Sequence, residues 1–270
     1  MSDYIHGTEP EEQARLSKLN DLINIRCMNL LDIKEGDQIL DVGSGLGQLT
    51  LLMAEKAGPL GKCLGIERDK NQLKTALQHL KEKGVRWAEF RQGNAESLEL
   101  DQEEWGNFDL AHARFVLEHV RQPESIIEGM AKAVRPGGRV VVADDDHEHL
   151  RLYPSPAGFS TLWEAYIRSY DRLGNDPYVG RRLVSLLYQN GLRNIRNNVV
   201  FFGDSGESPT FPAYITNLVG ILEGARGLME RHTLIDTHTF DEAIQNLWTW
   251  SQRSDAALWY TINWVEGIKP

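Results

Sequence analysis

The chain has 270 residues, 41% of them hydrophobic, enough for one large domain or one domain carrying a substantial insertion. Its net charge of -10 and its sparse basic spots, Arg181-Arg182 and Arg193 with Arg196, speak against a nucleic-acid partner, which calls for a basic stripe. No stretch nears the roughly 20 apolar residues of a membrane span. The opening MSDYIHGTEPEEQ lacks the order of a secretory signal, and Cys27 and Cys63 form neither a CxxC nor a zinc spacing, so a cytoplasmic protein with reduced core thiols is expected.

Thr8-Glu9-Pro10-Glu11 is a capping-box pattern with proline in the first turn. It predicts a helix that continues through Leu16, Leu19, Leu22, Ile23, Arg26 and Leu30 to about Leu31. Gly36-Asp37 is a turn, and Gln38 to Val42 a short strand leading straight into glycines. After Gly47, the residues Leu49, Leu51, Leu52, Met53 and Ala54 predict a buried helix ended by Gly58-Pro59. Lys62 to Ile66 reads as a second strand. Asp69 can cap the next helix, with Leu73, Ala76, Leu77 and Leu80 on one face and Gly84 as its stop. Strands follow near 88–91 and 108–111. Pro123 opens a helix with Ile126, Ile127, Met130 and Val134 inward, and Pro136-Gly137-Gly138 turns into a fifth strand, 139–143. Strands alternating with helices imply a parallel sheet covered on both faces, a doubly wound α/β fold.

The second half is less regular. Residues 180–190 read as a helix, and 195–202 and 258–264 as strands. The blocks at about 146–178 and 205–250 look helical, carry scattered aromatics and read as insertions that cover a pocket. The chain thus divides into a helical lid (1–35), a nucleotide-binding core (36–145), and a remainder of the sheet with cap insertions (146–270).

ILDVGSGLGQLT, from Ile39 to Thr50, holds glycines 43, 45 and 47. A dinucleotide fingerprint, GxGxxG, would want its third glycine where Gln48 stands. The tighter GxGxG turn lets a flat nucleoside with an amino-acid tail lie across the strand ends instead.

Asp41-Val-Gly-Ser-Gly-Leu-Gly47 resembles the first motif of the class I S-adenosylmethionine-dependent methyltransferases. Leu64-Gly-Ile-Glu67-Arg68-Asp69 is similar to their second motif, whose acidic strand end holds both ribose hydroxyls; one carboxylate can accept from two such donors. Gln92-Gly-Asn94-Ala95-Glu96 is similar to the third, with Asn94 in place of the usual aspartate near the adenine. Residues 108–115, Leu117-Glu118-His119-Val120 and Arg135-Pro136-Gly137-Gly138 complete the pattern. The resemblance implies a Rossmann-like seven-stranded sheet, mostly parallel with an antiparallel last strand, and helical insertions over the substrate side. It implies S-adenosylmethionine as cofactor, S-adenosylhomocysteine as product, and a small-molecule acceptor. The implied cofactor residues are Tyr4, Asp41, Gly43, Ser44, Gly45, Gly47, Glu67, Arg68, Asn94, Ala95 and Arg114, with Tyr4 on a lid segment.

His119 is the candidate general base, since an ordinary imidazole titrates in the useful range. Ala143-Asp-Asp-Asp-His-Glu-His149 crowds oxygen and imidazole groups at a strand end. Metal-dependent catechol-type relatives also need an acid after the fourth strand, where this chain has Ala111-His112-Ala113, so no metal is expected. O- or N-methylation of an aromatic or natural-product acceptor is expected, with C-methylation of a quinone precursor as the alternative. A cofactor-binding regulator without turnover is the alternative of another class. Oligomeric state is not legible.

Overall fold

The apolar run before the glycines is the centre of the sheet. In the computed structural model, which describes residues 10–270, β1 (Gln38–Val42) pairs in parallel with β2 (Lys62–Glu67) on one side and β4 (Phe108–Arg114) on the other. β3 (Ala88–Gln92) lies outside β2, and β5 (Val134–Asp145) lies beside β4. β8 (Ala257–Ile268) runs antiparallel to β5, and β7 (Arg193–Ser205) pairs antiparallel with β8. Strand order therefore reverses between β1 and β4, which opens a crevice at the carboxyl ends of those strands.

The described residues hold eight strands, one more than expected. The extra one is β6 (Arg151–Tyr153). β5 covers only Ile262–Ile268 of β8, so the first residues of β8 extend past it and pair with β6 instead. Val134, expected inside a helix, begins β5 opposite Phe108. Pro136 disfavours helical backbone just before itself, and this ends the helix early.

The eight described α-helices are α1 (Pro10–Leu31), α2 (Gln48–Ala57), α3 (Lys70–Lys83), α4 (Pro123–Ala133), α5 (Phe159–Asp171), α6 (Leu183–Gln189), α7 (Phe211–Arg231) and α8 (Thr237–Trp250). Successive strand residues point to opposite faces. Ile39, Cys63, Leu110 and Val141 accordingly pack under α1, α2, α5, α7 and α8. Leu40, Leu64, Ala111 and Val140 pack against α4 and α6. Both cysteines are buried free thiols. No helix among the described residues is long and apolar enough to cross a membrane.

Candidate active site

The glycine loop leaves β1 at the reversal point and enters α2 directly. Gly43, Gly45 and Gly47 all have positive φ, which side chains disfavour. The loop is tied to β2: the amides of Gly43 and Ser44 donate to Ile66 O at 2.9 and 3.0 Å. A Cβ on Gly43 would lie 2.4 Å from Val116 Cγ2, so the backbone must be bare where the chain after β4 passes. Asp41, buried at the end of β1, accepts from Thr50 Oγ1 at 2.5 Å and faces His112 Nδ1 at 2.8 Å. It therefore joins β1, α2 and β4 beneath the loop.

Glu67, at the end of β2, accepts from Gly45 N at 2.9 Å and Asp69 N at 2.7 Å, one bond to each oxygen. These bonds fix the carboxylate and leave each oxygen a further lone pair. Burial raises its pKa above the ordinary glutamate value. Asp69 caps α3 by accepting from Asn71 N and Gln72 N, both at 2.9 Å. Asn94 Oδ1 accepts from Glu96 N at 3.1 Å, which fixes the loop after β3.

Three spaces meet at this end of the sheet. The first is a groove bounded by Gly43, Gly45, Glu67, Arg68, Asn94 and Ala95, with Phe115, Val116 and His119 on its far wall. It holds about 570 Å³, counted as room for the centres of water molecules. The second is a side chamber of about 100 Å³ between Asp41, Ser44, Arg114 and Asn20. The third is a deeper cavity of about 80 Å³, walled by Trp163, Tyr166, Tyr170, Phe202, Tyr214 and Tyr260. On this count a water needs roughly 10–15 Å³, so the cavity has room for several waters or for one aromatic ring. Phe115 borders all three spaces, and His119 borders both the groove and the cavity.

Titratable groups converge on the cavity floor. Glu118 and His119 form a turn of 3-10 helix after β4, which presents both side chains to the cavity. Glu118 accepts from Tyr170 OH at 3.1 Å, while His119 stacks on the Tyr170 ring. Burial pushes the Glu118 carboxyl up to about 7. Burial, with His147 nearby, pushes His119 down to about 3, which makes it a poor match for the general-base role expected of it. Asp145, the last residue of β5, is raised well above its usual range by burial and by Glu118. His147 is buried and its pKa lowered for the same first reason.

The expected cofactor residues thus fall into two groups. Gly43, Gly45, Glu67, Arg68, Asn94 and Ala95 line the groove, and Asp41, Ser44 and Arg114 line the chamber, which Gly43 and Gly45 also border. Gly47 lines neither: a Cβ there would strike Phe90 at 2.6 Å and Ala76 at 2.9 Å, so its bareness serves packing against β3 and α3. Tyr4 lies outside the described residues. Gln72 and Asn20 line the site without having been expected, and Phe115 and Glu118, which fall within the family motifs, were not singled out as site residues. Phe115 and Glu118 left a signal, their places beside Arg114 and His119; Gln72 and Asn20 depend on contacts distant in sequence.

An open doubly wound sheet with a glycine loop at its reversal point defines a nucleoside-binding α/β protein. Comparison with known proteins narrows the class. The methyltransferase-domain family profile matches residues 33–166. A demethylmenaquinone methyltransferase of Anoxybacillus flavithermus is 30% identical over 174 residues, 62% of this chain and 70% of that protein. The one of Lactococcus lactis subsp. lactis is 32% identical over 136 residues, 50% of this chain and 53% of that protein, so the chain spans about half its length. The crystal structure of the YcgJ protein from Bacillus subtilis has the same fold, with a TM-score of 0.60 at 15% identity, covering 91% of this chain and 97% of that one. The chain belongs to the class I S-adenosylmethionine-dependent methyltransferases, and S-adenosylmethionine is its cofactor.

Proposed function

We propose that the protein transfers a methyl group to a flat, hydroxylated aromatic acceptor of the quinol type, seated in the aromatic cavity. The observation that carries this reading is the shared wall: Phe115 and His119 line both the groove and the cavity. Methyl donor and acceptor can therefore meet there without crossing solvent.

The residues present fit the cofactor. The glycine loop offers bare backbone, and Glu67 offers two oriented acceptor oxygens for a ribose. In this reading Glu67, Asn94 and the loop hold the nucleoside, and Asp41, Ser44 and Arg114 surround its amino-acid end. When bound, S-adenosylmethionine supplies a methyl group already activated by its sulfonium. What is left to the chain is alignment and exclusion of water. Trp163, Tyr166, Tyr170 and Tyr214 are each less than a tenth exposed and form a flat-sided aromatic wall suited to a ring.

The similarity to demethylmenaquinone methyltransferases favours a quinone-type ring methylated at carbon over the O- or N-methylation expected from the sequence. O-methylation of a phenol is the second reading, supported by the Glu118 and His147 side chains facing the space where a hydroxyl would lie. Incubation with S-adenosylmethionine and a panel of naphthoquinols, catechols and amines tests both. The expected product gains one methyl on a ring carbon, visible by mass spectrometry and as a carbon-bound methyl in the NMR spectrum. An oxygen-bound methyl would give precedence to the second reading. Tight cofactor binding with no turnover on the panel would point to a binding protein instead and sink the proposal.

A further inference from the structure

Glu118, Asp145 and His147 come from three separate elements and converge in the cavity. Each offers a ligand atom, and the three atoms lie within 4.8 Å of one another. Ligands of a six-coordinate ion at about 2.1 Å stand roughly 3.0 Å apart when adjacent and 4.2 Å when opposed. Glu118 Oε2 and His147 Nε2, 3.2 Å apart, already have the adjacent spacing. Asp145 offers a carboxylate oxygen within 4.8 Å of both.

Two buried atoms in this cluster lack hydrogen bonds. Among the described residues Asp145 Oδ1 meets no hydrogen-bond geometry, though Tyr260 lies against the same carboxyl, and His147 Nε2 meets Glu118 without the alignment of a hydrogen bond. His147 is 2% exposed, and Glu118 is 3% exposed. Unmatched polar atoms at such depth are costly, and two carboxylates in one buried cluster repel each other. A divalent cation removes both penalties at once. The surroundings suit it as well. Tyr260 OH lies 3.0 Å from His147 Nδ1, so a proton held there leaves the Nε2 lone pair facing the cavity. Supporting bonds of this kind orient metal-binding imidazoles. One imidazole and two carboxylates match ions of intermediate hardness. The groove, through Phe115 and His119, gives an entry path.

We infer that Glu118, Asp145 and His147 form a binding site for a divalent cation of the Mn²⁺ class, whose remaining coordination positions take an oxygen of the methyl acceptor. This reverses the expectation of no metal drawn from the sequence, which sought an acid at Ala111 to Ala113 and found none; the acid is supplied by Glu118 instead. The clause on the acceptor rests on the function proposed above, whereas cation binding does not.

The test is a titration of the chelator-stripped full chain with Mn²⁺, free ion being read by electron paramagnetic resonance. Saturable binding by the native chain is expected. Glu118→Gln and Asp145→Asn, close in shape to the residues they replace, should each weaken it at least about tenfold. The exposed Glu128→Gln control should leave it unchanged. Calorimetry with S-adenosylmethionine on every variant checks that each is folded. No saturable binding by the native chain, or binding indifferent to both substitutions, overturns the site. If the variants do not fold, pulsed resonance on the native chain decides: an imidazole-nitrogen coupling to Mn²⁺ supports the site, and its absence overturns it. Adding a catechol or naphthoquinol to the Mn²⁺-loaded chain tests the acceptor clause alone. A changed spectrum supports that clause, and an unchanged one removes it while leaving the cation site standing.

Discussion

Glu67 holds two parts of the fold together at the groove where the proposed function places the ribose. Its oxygens hold the amides of Gly45 and Asp69, so the glycine loop and the start of α3 are both referenced to the end of β2. Glu67→Ala removes that reference and, under the proposed function, the acceptor for the ribose. Cofactor affinity should fall by about 1–3 kcal/mol, the usual cost of unmatched donors at a buried site. Calorimetry giving an unchanged dissociation constant would mean the ribose lies elsewhere. The identity of Glu67 was legible in the sequence because an acid at a strand end is a local pattern. Its two amide bonds were not legible, since Gly45 is 22 positions away. Gly47 shows the reverse limit. Its glycine was visible and pointed to the cofactor, yet the neighbours that forbid a side chain, Phe90 and Ala76, belong to later elements.

At the scale of elements, the first half of the sheet was readable strand by strand, because glycine, proline and capping residues punctuate it. In the second half α6, β7 and β8 were readable too, but the bounds of α5, α7 and α8 and the short strand β6 were not, because few glycines or prolines mark their ends and β6 is set by the part of β8 that β5 leaves uncovered. How α1 is held was equally hidden. Arg114, at the end of β4, donates to Asn20 Oδ1 at 2.7 Å and Asn24 Oδ1 at 2.8 Å, and reaches Cys27 Sγ at 3.3 Å. Gln48, standing where a dinucleotide fold would want glycine, accepts from Asn20 Nδ2 at 2.8 Å and donates to Ser17 Oγ at 3.1 Å. Both bonds clasp α1 over the side chamber. Hydrogen bonds to a charged group contribute about 1.5–3 kcal/mol. Arg114→Ala should therefore speed amide exchange across Asn20 to Cys27 by roughly tenfold or more. Exchange there equal to that of the native chain would show that the apolar contacts of Ile23, Cys27 and Leu31 hold the helix alone.

Across the whole molecule, acid stability should follow the cluster that ties β2 and β3 to the loop before β4. Arg91 donates to both oxygens of Glu104, at 2.7 and 2.8 Å, and to Glu89 at 2.5 Å, while Lys62 reaches both acids. Arg91 is the largest cause of the lowered pKa of Glu104 and of Glu89. A depressed carboxylate stabilises the fold above its unfolded pKa, near 4.5, and that contribution is lost as pH falls through the lower folded value. Glu67, raised by burial, has the opposite sign: it favours the fold as pH falls and loses that contribution as pH rises through its folded pKa. Thermal unfolding of the native chain should therefore drop below about pH 4.5, and Glu104→Gln should show a lower midpoint at neutral pH with a shallower acid decline. Parallel acid limbs in the two proteins would assign the acid lability to other groups. The wall between groove and cavity has a consequence of another kind. The groove and side chamber are built almost wholly from residues 41–120, while most of the aromatic cavity comes from α5, β7, α7 and β8. Among the described residues the groove and the cavity share only Phe115 and His119, so under the proposed function heritable changes at Trp163, Tyr166 or Tyr214 alter which acceptor is taken while the groove is left untouched. A lineage carrying this fold can diversify its chemistry one wall at a time.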